Sequence, residues 1–243
     1  MAQEDDEKSP APMGLGDPTR LLALSDGVFA IIMTLLVLDL QVPLLLTEDK
    51  LYEVLLDRIP TFVAYVFGFL LAGVYWIGHR DLFNRVKVVT YPVLWFNVVF
   101  LMIASLIPFG AKLLGNYPES PTVLALYGSL LALLAGCRLA FYRFVTGHIE
   151  LLIAPVPPLL RRRVTQVMIF ATSAFTFCVI FGRLIPANLV LSIYGFTPVI
   201  FVSTITYVSR GWLPPEHRHH RHRHPHHDPG HAAQPPANRE PVG

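Results

Sequence analysis

Between Arg20 and Pro43 the chain reads RLLALSDGVFAIIMTLLVLDLQVP, an almost unbroken apolar run from Val28 to Leu38, with Ser25 and Asp26 before it and Asp39 after it. A helix over about Leu21 to Gln41, rising about 1.5 Å per residue, is roughly 30 Å long, the thickness of a bilayer's hydrocarbon core. Placing an ionised carboxylate at mid-bilayer costs a few kcal/mol or more, so Asp26 belongs near the interface or against protein. At about 100° per residue, Ile31, Leu35 and Leu38 share an arc of about 60° with Thr34 just beside it, and Asp26 points about 140° away from Ile31. One helix thus presents an aliphatic seam carrying a hydroxyl and, elsewhere on its circumference, a Ser-Asp corner that needs polar partners.

Five more apolar segments follow, over about 60–78, 91–109, 122–145, 164–184 and 188–208, the first of them entered by the amphipathic LYEVLLDRI. Each has the length a bilayer demands. Pro43 and the Thr47-Glu48-Asp49-Lys50 cluster mark a turn after the first helix. Only 15% of the 243 residues are charged and 53% are hydrophobic, whereas a soluble domain carries about 25% charged residues. The expected fold is therefore an all-α integral membrane protein with six transmembrane helices per subunit, spanning residues 20–210. Six crossings put both termini on one side. With the N-terminus inside, fifteen of the 19 Lys and Arg residues fall in internal segments and four, Lys50, Arg58, Lys112 and Arg183, in external ones. Basic residues are retained in cytoplasmic loops, so both ends are expected in the cytoplasm.

Residues 1–19 form an acidic, Pro-rich leader and residues 211–243 a His-, Arg- and Pro-rich tail, both too poor in apolar residues to fold and expected to be disordered. The leader lacks the positive start of a secretory signal, so the first helix is expected to be retained. Eight of the ten histidines lie in the tail, which reads as a solvated cationic segment able to touch anionic lipid rather than a metal site. Arg161-Arg162-Arg163 reads as a topology and lipid-headgroup anchor preceding the fifth helix. A net charge of +2 is too small to suggest a nucleic-acid partner. Cys137 and Cys178 form no C-x-x-C and read as small buried thiols. The sequence contains no G-x-S-x-G, H-E-x-x-H or P-loop, and His148 with Glu150 lacks a third metal ligand, so neither an enzyme, a cofactor nor a metal centre is expected.

Two constellations remain. If the helices alternate direction, Arg20, Ser25 and Asp26 lie at the same depth as Trp76 and His79, and Asp26 can accept hydrogen bonds from Ser25, His79, the Trp76 indole or Arg20. A buried carboxylate with such partners is a structural clamp that sets the rotation of helix one; the alternative is a proton relay. Asn97 can add a hydrogen bond between helices. The second constellation is the seam of Ile31, Thr34, Leu35 and Leu38, which on spacing alone packs against a neighbouring helix.

Arg20, three intervening residues, then Leu24-Ser25-Asp26-Gly27 resembles the Arg-x-x-x-Phe-Ser-Asp-Gly signature of the transmembrane protein 175 potassium channels, the bacterial relatives of the endosomal and lysosomal channel, with Leu24 replacing Phe. The following VFAIIMTLLVLDL is similar to that family's first helix. Trp76-x-x-His79, Asn97 and the Ile107-Pro108-Phe109 helix end resemble positions in its second and third helices. The resemblance covers about residues 20 to 110; beyond them it rests on helix count. It implies a homotetramer in the bacterial plasma membrane with helix one lining a central pore, a hydrophobic constriction at Ile31, further aliphatic layers at Leu35 and Leu38, and potassium preference associated with Thr34. It also agrees with a structural role for the Arg20, Ser25, Asp26, Trp76 and His79 cluster. Aliphatic rings gate by dewetting, and hydroxyls contact a partly hydrated cation. The chain holds no Thr-Val-Gly-Tyr-Gly filter, so passive K⁺ conduction without a carbonyl cage is the expected activity. A proton-coupled transporter using Asp26 and His79 is the alternative.

Overall fold

The computed structural model describes residues 18–41 and 48–210, with side chains for all of these except 48–49 and 201–210. The tail at 211–243 and the leader up to residue 17 lie outside the described residues. Pro18 and Thr19, expected in the leader, already belong to the first helix, because proline's fixed φ suits a helix start.

Helix α1 runs Pro18–Leu35 and tightens into a 3₁₀ turn at Leu36–Asp39. Its buried positions are Ser25, Phe29, Ile32 and Leu36, spaced four, three and four apart as one helical face requires. A short helix α2, Glu48–Asp57, starts inside the segment expected to be a turn. After the turn at Arg58, α3 runs Ile59–Phe83.

The third apolar segment departs from expectation. Helix α4, Tyr91–Ala104, gives way at Ser105–Leu106 and the chain resumes as α5, Ile107–Asn116. Ile107-Pro108-Phe109 is therefore a kink and not a helix end. Pro108 has no N–H for the Ala104 carbonyl and its ring crowds that carbonyl, which breaks the ladder locally without ending it. The helix continues because Ile107, Ala111 and Leu114 are buried. Lys112, expected in an external loop, instead lies in α5 and pairs with Asp39 at the end of α1, Nζ to Oδ1 3.0 Å.

Helix α6 runs Pro121–Gly147, opened by Ser120, whose hydroxyl accepts from the Val123 N–H. Helix α7 runs Pro158–Phe181 and α8 Ala187–Arg210. The early start of α7 corrects a second expectation: Arg161–Arg163 lie inside the helix, not before it, since Pro158 at its first position sets the boundary. Five helical segments, Pro18–Asp39, Ile59–Phe83, Tyr91–Asn116, Pro121–Gly147 and Pro158–Leu184, are long and apolar enough to cross a membrane. Helix α8, with 24 residues, occupies the sixth expected segment.

Helix α6 is the hub, packing against α4, α5, α7 and α8. Its buried stripe, Leu131, Leu134, Arg138, Phe141 and Val145, keeps helical spacing for four turns. At the end of the bundle where α3 and α6 finish, the α3–α4 and α6–α7 links are stitched together. The Lys87 N–H donates to the Leu151 carbonyl (2.7 Å) and the Ile153 N–H to the Arg85 carbonyl (2.9 Å), around an antiparallel bridge of Val86 with Leu152.

Helices α3 and α5 approach most closely at Gly115, where a Cβ would stand 2.9 Å from Thr61 Cα and 3.3 Å from Ala64 Cβ. Backbone cannot swing aside as a side chain does. Gly115→Ala is therefore expected to lower stability by about 1–3 kcal/mol, seen as a lower thermal midpoint in detergent. An unchanged midpoint would mean that the two helices separate freely.

Candidate functional site

Ser25 on α1, His79 on α3 and Asn97 on α4 are 0%, 2% and 1% exposed, three polar side chains from three helices meeting in an apolar core. Burial of such groups is tolerated only with hydrogen bonds between them. His79 Nε2 lies 3.2 Å from Ser25 Oγ, which in turn donates toward Asn97 Oδ1 (3.1 Å) or the Leu21 carbonyl (2.9 Å). One hydroxyl has one proton and can accept as well, so Ser25 receives from the imidazole N–H while donating to either oxygen. Aromatic rings enclose the imidazole: it stacks on Phe100 at 5.0 Å and 8° and tilts against Phe83 at 4.6 Å.

One turn toward the surface, the Trp76 indole N–H donates to Asp26 Oδ1 at 2.7 Å, and the Arg80 guanidinium lies over the Trp76 ring, 5.8 Å from its centroid. Of the four donors expected to be able to reach Asp26, one does so. Trp76 reaches it, whereas Ser25 and His79 pair with each other. Arg20 is exposed, and among the described residues no hydrogen bond or ion pair joins it to Asp26. Six residues of helix turn through about 600°, which leaves the two side chains about 120° apart and about 9 Å along the axis.

These contacts join one side of α1 to α3 and α4, and its opposite side is open. Ile31, Leu35 and Leu38 are 58%, 43% and 62% exposed, and Thr34 is exposed beside them. Leu24, exposed before them, extends the same stripe. The Thr34 hydroxyl donates back to the Ala30 and Ile31 carbonyls, both at 3.0 Å. Its proton is occupied within the helix, so the oxygen faces outward as an acceptor. Such an oxygen can contact a cation that retains part of its water.

Arg138, counted by its charge among the basic residues of the internal segments, is instead buried within α6. It is 6% exposed in the middle of the α6 core stripe, and its Nη1 lies 3.4 Å from the Tyr75 carbonyl of α3. A methyl on Gly78 would collide with its guanidinium, so α3 leaves room for it by lacking a side chain there. The available signal was register: Arg138 stands four after Leu134 and three before Phe141. Among the described residues no group of three or more His, Cys, Asp or Glu is placed to hold a metal.

Residues 20–108 match the sequence profile of the family described as the endosomal/lysosomal potassium channel TMEM175. A protein of Chryseobacterium sp. named as a potassium channel is 40% identical over 109 residues, which cover 45% of this chain and 55% of that one. A potassium channel of Streptomyces collinus is 35% identical over 103 residues, covering 42% and 50%. The chain thus spans about half the length of these relatives. Vertebrate relatives, such as the chicken protein at 28% identity over 134 residues (54% of this chain, 26% of that one), carry the name endosomal/lysosomal proton channel TMEM175. The fold is similar to the crystal structure of a lysosomal potassium-selective channel TMEM175 homolog from Chamaesiphon minutus, with a TM-score of 0.67 at 22% identity, covering 77% of this chain and 97% of that one.

Proposed function

Taking residues 20–108 as a segment of TMEM175 potassium-channel type, we propose that the chain forms a homotetrameric channel conducting K⁺ passively across the bacterial plasma membrane, with both termini in the cytoplasm. The observation that carries the reading is the division of α1. One face is packed into its own subunit through Ser25, Phe29, Ile32 and Leu36, and the other leaves Ile31, Thr34, Leu35 and Leu38 exposed. One helix cannot enclose a water-filled path, but closed symmetry places four copies of the stripe around one axis. Hydrated K⁺ then loses part of its shell against Thr34 hydroxyls and passes an aliphatic restriction at Ile31, with Leu35 and Leu38 as further layers. The contacts of Trp76 with Asp26 and of His79 with Ser25 hold the helix at the required rotation.

Purified protein in liposomes with a K⁺ gradient is expected to carry a current that reverses near the K⁺ equilibrium potential. Electroneutral, saturable uptake driven by a pH gradient would instead favour a proton-coupled transporter. The name given to the vertebrate relatives favours a second reading, proton passage, and the same liposomes test it: under opposed K⁺ and H⁺ gradients the sign of the current identifies the ion. A relay through Asp26 and His79 has less support, because Asp26 bonds to Trp76 and His79 to Ser25, two separate contacts.

A further inference from the structure

At the end of the bundle where α6 finishes and α7 begins, Arg143, Thr146, Arg161, Arg162, Thr165 and Gln166 line a cavity of about 670 Å³. No carboxylate is among its lining residues, and Glu150, on the connecting link, stands outside it. The cavity is built rather than incidental. Its α7 wall carries two guanidiniums on successive residues, its α6 wall a third, and the link that closes it is tied by Leu152 to the α3–α4 link. Arg161 reaches across to α6, its Nη2 3.8 Å from where a Cβ on Gly147 would stand.

The three guanidiniums are exposed to solvent and have no anionic partner among the residues that line the cavity. Three cations share one concavity, and two of them sit in the opening turns of α7, where the helix dipole is positive and where Pro157 supplies no side-chain cap and no acidic residue occurs. An oxyanion there is favoured by the helix dipole and accepts paired bonds from guanidinium forks. Ile149, in the cavity's lining, and Ile153 and Leu159, close to it in the chain, stand exposed. A cationic hollow with an apolar border matches an amphiphile better than a soluble ion, and basic pockets between membrane helices hold anionic headgroups.

We propose that this cavity binds the phosphate of a net-anionic phospholipid, with the acyl chains passing over Ile149 and Leu159. A zwitterionic choline lipid offers the same phosphate but brings an ammonium group, for which the cavity has no carboxylate. The site is independent of which ion the protein conducts.

The test measures thermal stability of the full chain in detergent against added phosphatidylglycerol, phosphatidylcholine and inorganic phosphate, with native mass spectrometry counting retained lipids. Phosphatidylglycerol is expected to raise the midpoint by several degrees and to remain bound, phosphatidylcholine to do neither, and Arg161→Gln/Arg162→Gln to abolish both effects. Arg163→Gln, whose side chain does not line the cavity, should keep them. An equal effect of phosphatidylcholine, or retention of the phosphatidylglycerol effect by the double variant, overturns the site. The same saturable shift with inorganic phosphate alone overturns the lipid as its ligand. If the double variant fails to fold, Arg143→Gln and the lipid count on the wild type decide: no retained phosphatidylglycerol on the wild type overturns the proposal.

Discussion

Ile31→Asn is expected to raise the single-channel K⁺ current at least several-fold in planar bilayers, with little loss of folded protein. Ile31 is 58% exposed, so its replacement removes little packing within the subunit, and surface substitutions away from special features shift stability by about 0.5 kcal/mol or less. In the proposed tetramer the same side chain occurs four times around the axis, where branched aliphatics make a short water-free barrier. Amides hydrogen-bond to water and keep the passage wet. A reduction of about 1.4 kcal/mol in the barrier is tenfold in rate, a modest demand on four polar groups. Current unchanged from wild type would move the narrow point up the stripe to Leu35 or Leu38. Loss of all current with normal folding would count against a seam that faces the axis.

How much of this was legible in the sequence follows from which physical quantity each feature depends on. Apolar length is local, and the five helical segments long and apolar enough to cross a membrane overlap the first five segments that hydropathy placed, with α8 as a helix over the sixth. Proline chemistry is equally local, but its outcome is not. Pro108 forbids one hydrogen bond, and whether the chain then stops or bends depends on burial of Ile107, Ala111 and Leu114, which only the packed neighbours decide. Arg138 was assigned by its charge, although a guanidinium lies in a core when another helix offers a carbonyl and a glycine opposite it, as Tyr75 and Gly78 do. For the polar cluster, alternation of helix direction gave the common depth of Ser25, Asp26, Trp76 and His79. It could not give their pairing, because adjacent residues on a helix point about 100° apart. Asn97 lies on a third helix, α4, and a depth shared by α1 and α3 does not bring it to Ser25; the packing of all three does.

The second large effect is expected at that cluster. His79→Leu nearly preserves volume but removes the side chain that meets both Ser25 Oγ, at 3.2 Å, and the Phe100 ring, at 5.0 Å. Ser25 keeps its acceptors on Leu21 and Asn97 but loses a donor in a site with no water-facing surface, a loss of about 1–3 kcal/mol, and the ring stacking contributes about 1 kcal/mol more. A total near 2–4 kcal/mol is a large share of the stability of a domain, so the thermal midpoint in detergent should fall clearly. With α1 free to rotate, the seam loses its alignment and K⁺ current falls with it. Asp26→Asn separates this clamp from a proton relay. The amide oxygen that this substitution introduces can still accept from the Trp76 indole, which in the native chain lies 2.7 Å from Asp26 Oδ1, so a positional role predicts near-normal stability and K⁺ flux. A relay through the carboxylate predicts that flux coupled to a pH gradient disappears while stability is retained. Normal K⁺ current in Asp26→Asn together with a destabilised His79→Leu is the result that a clamp requires, and the opposite pair of results would transfer Asp26 from the scaffold to the transport chemistry.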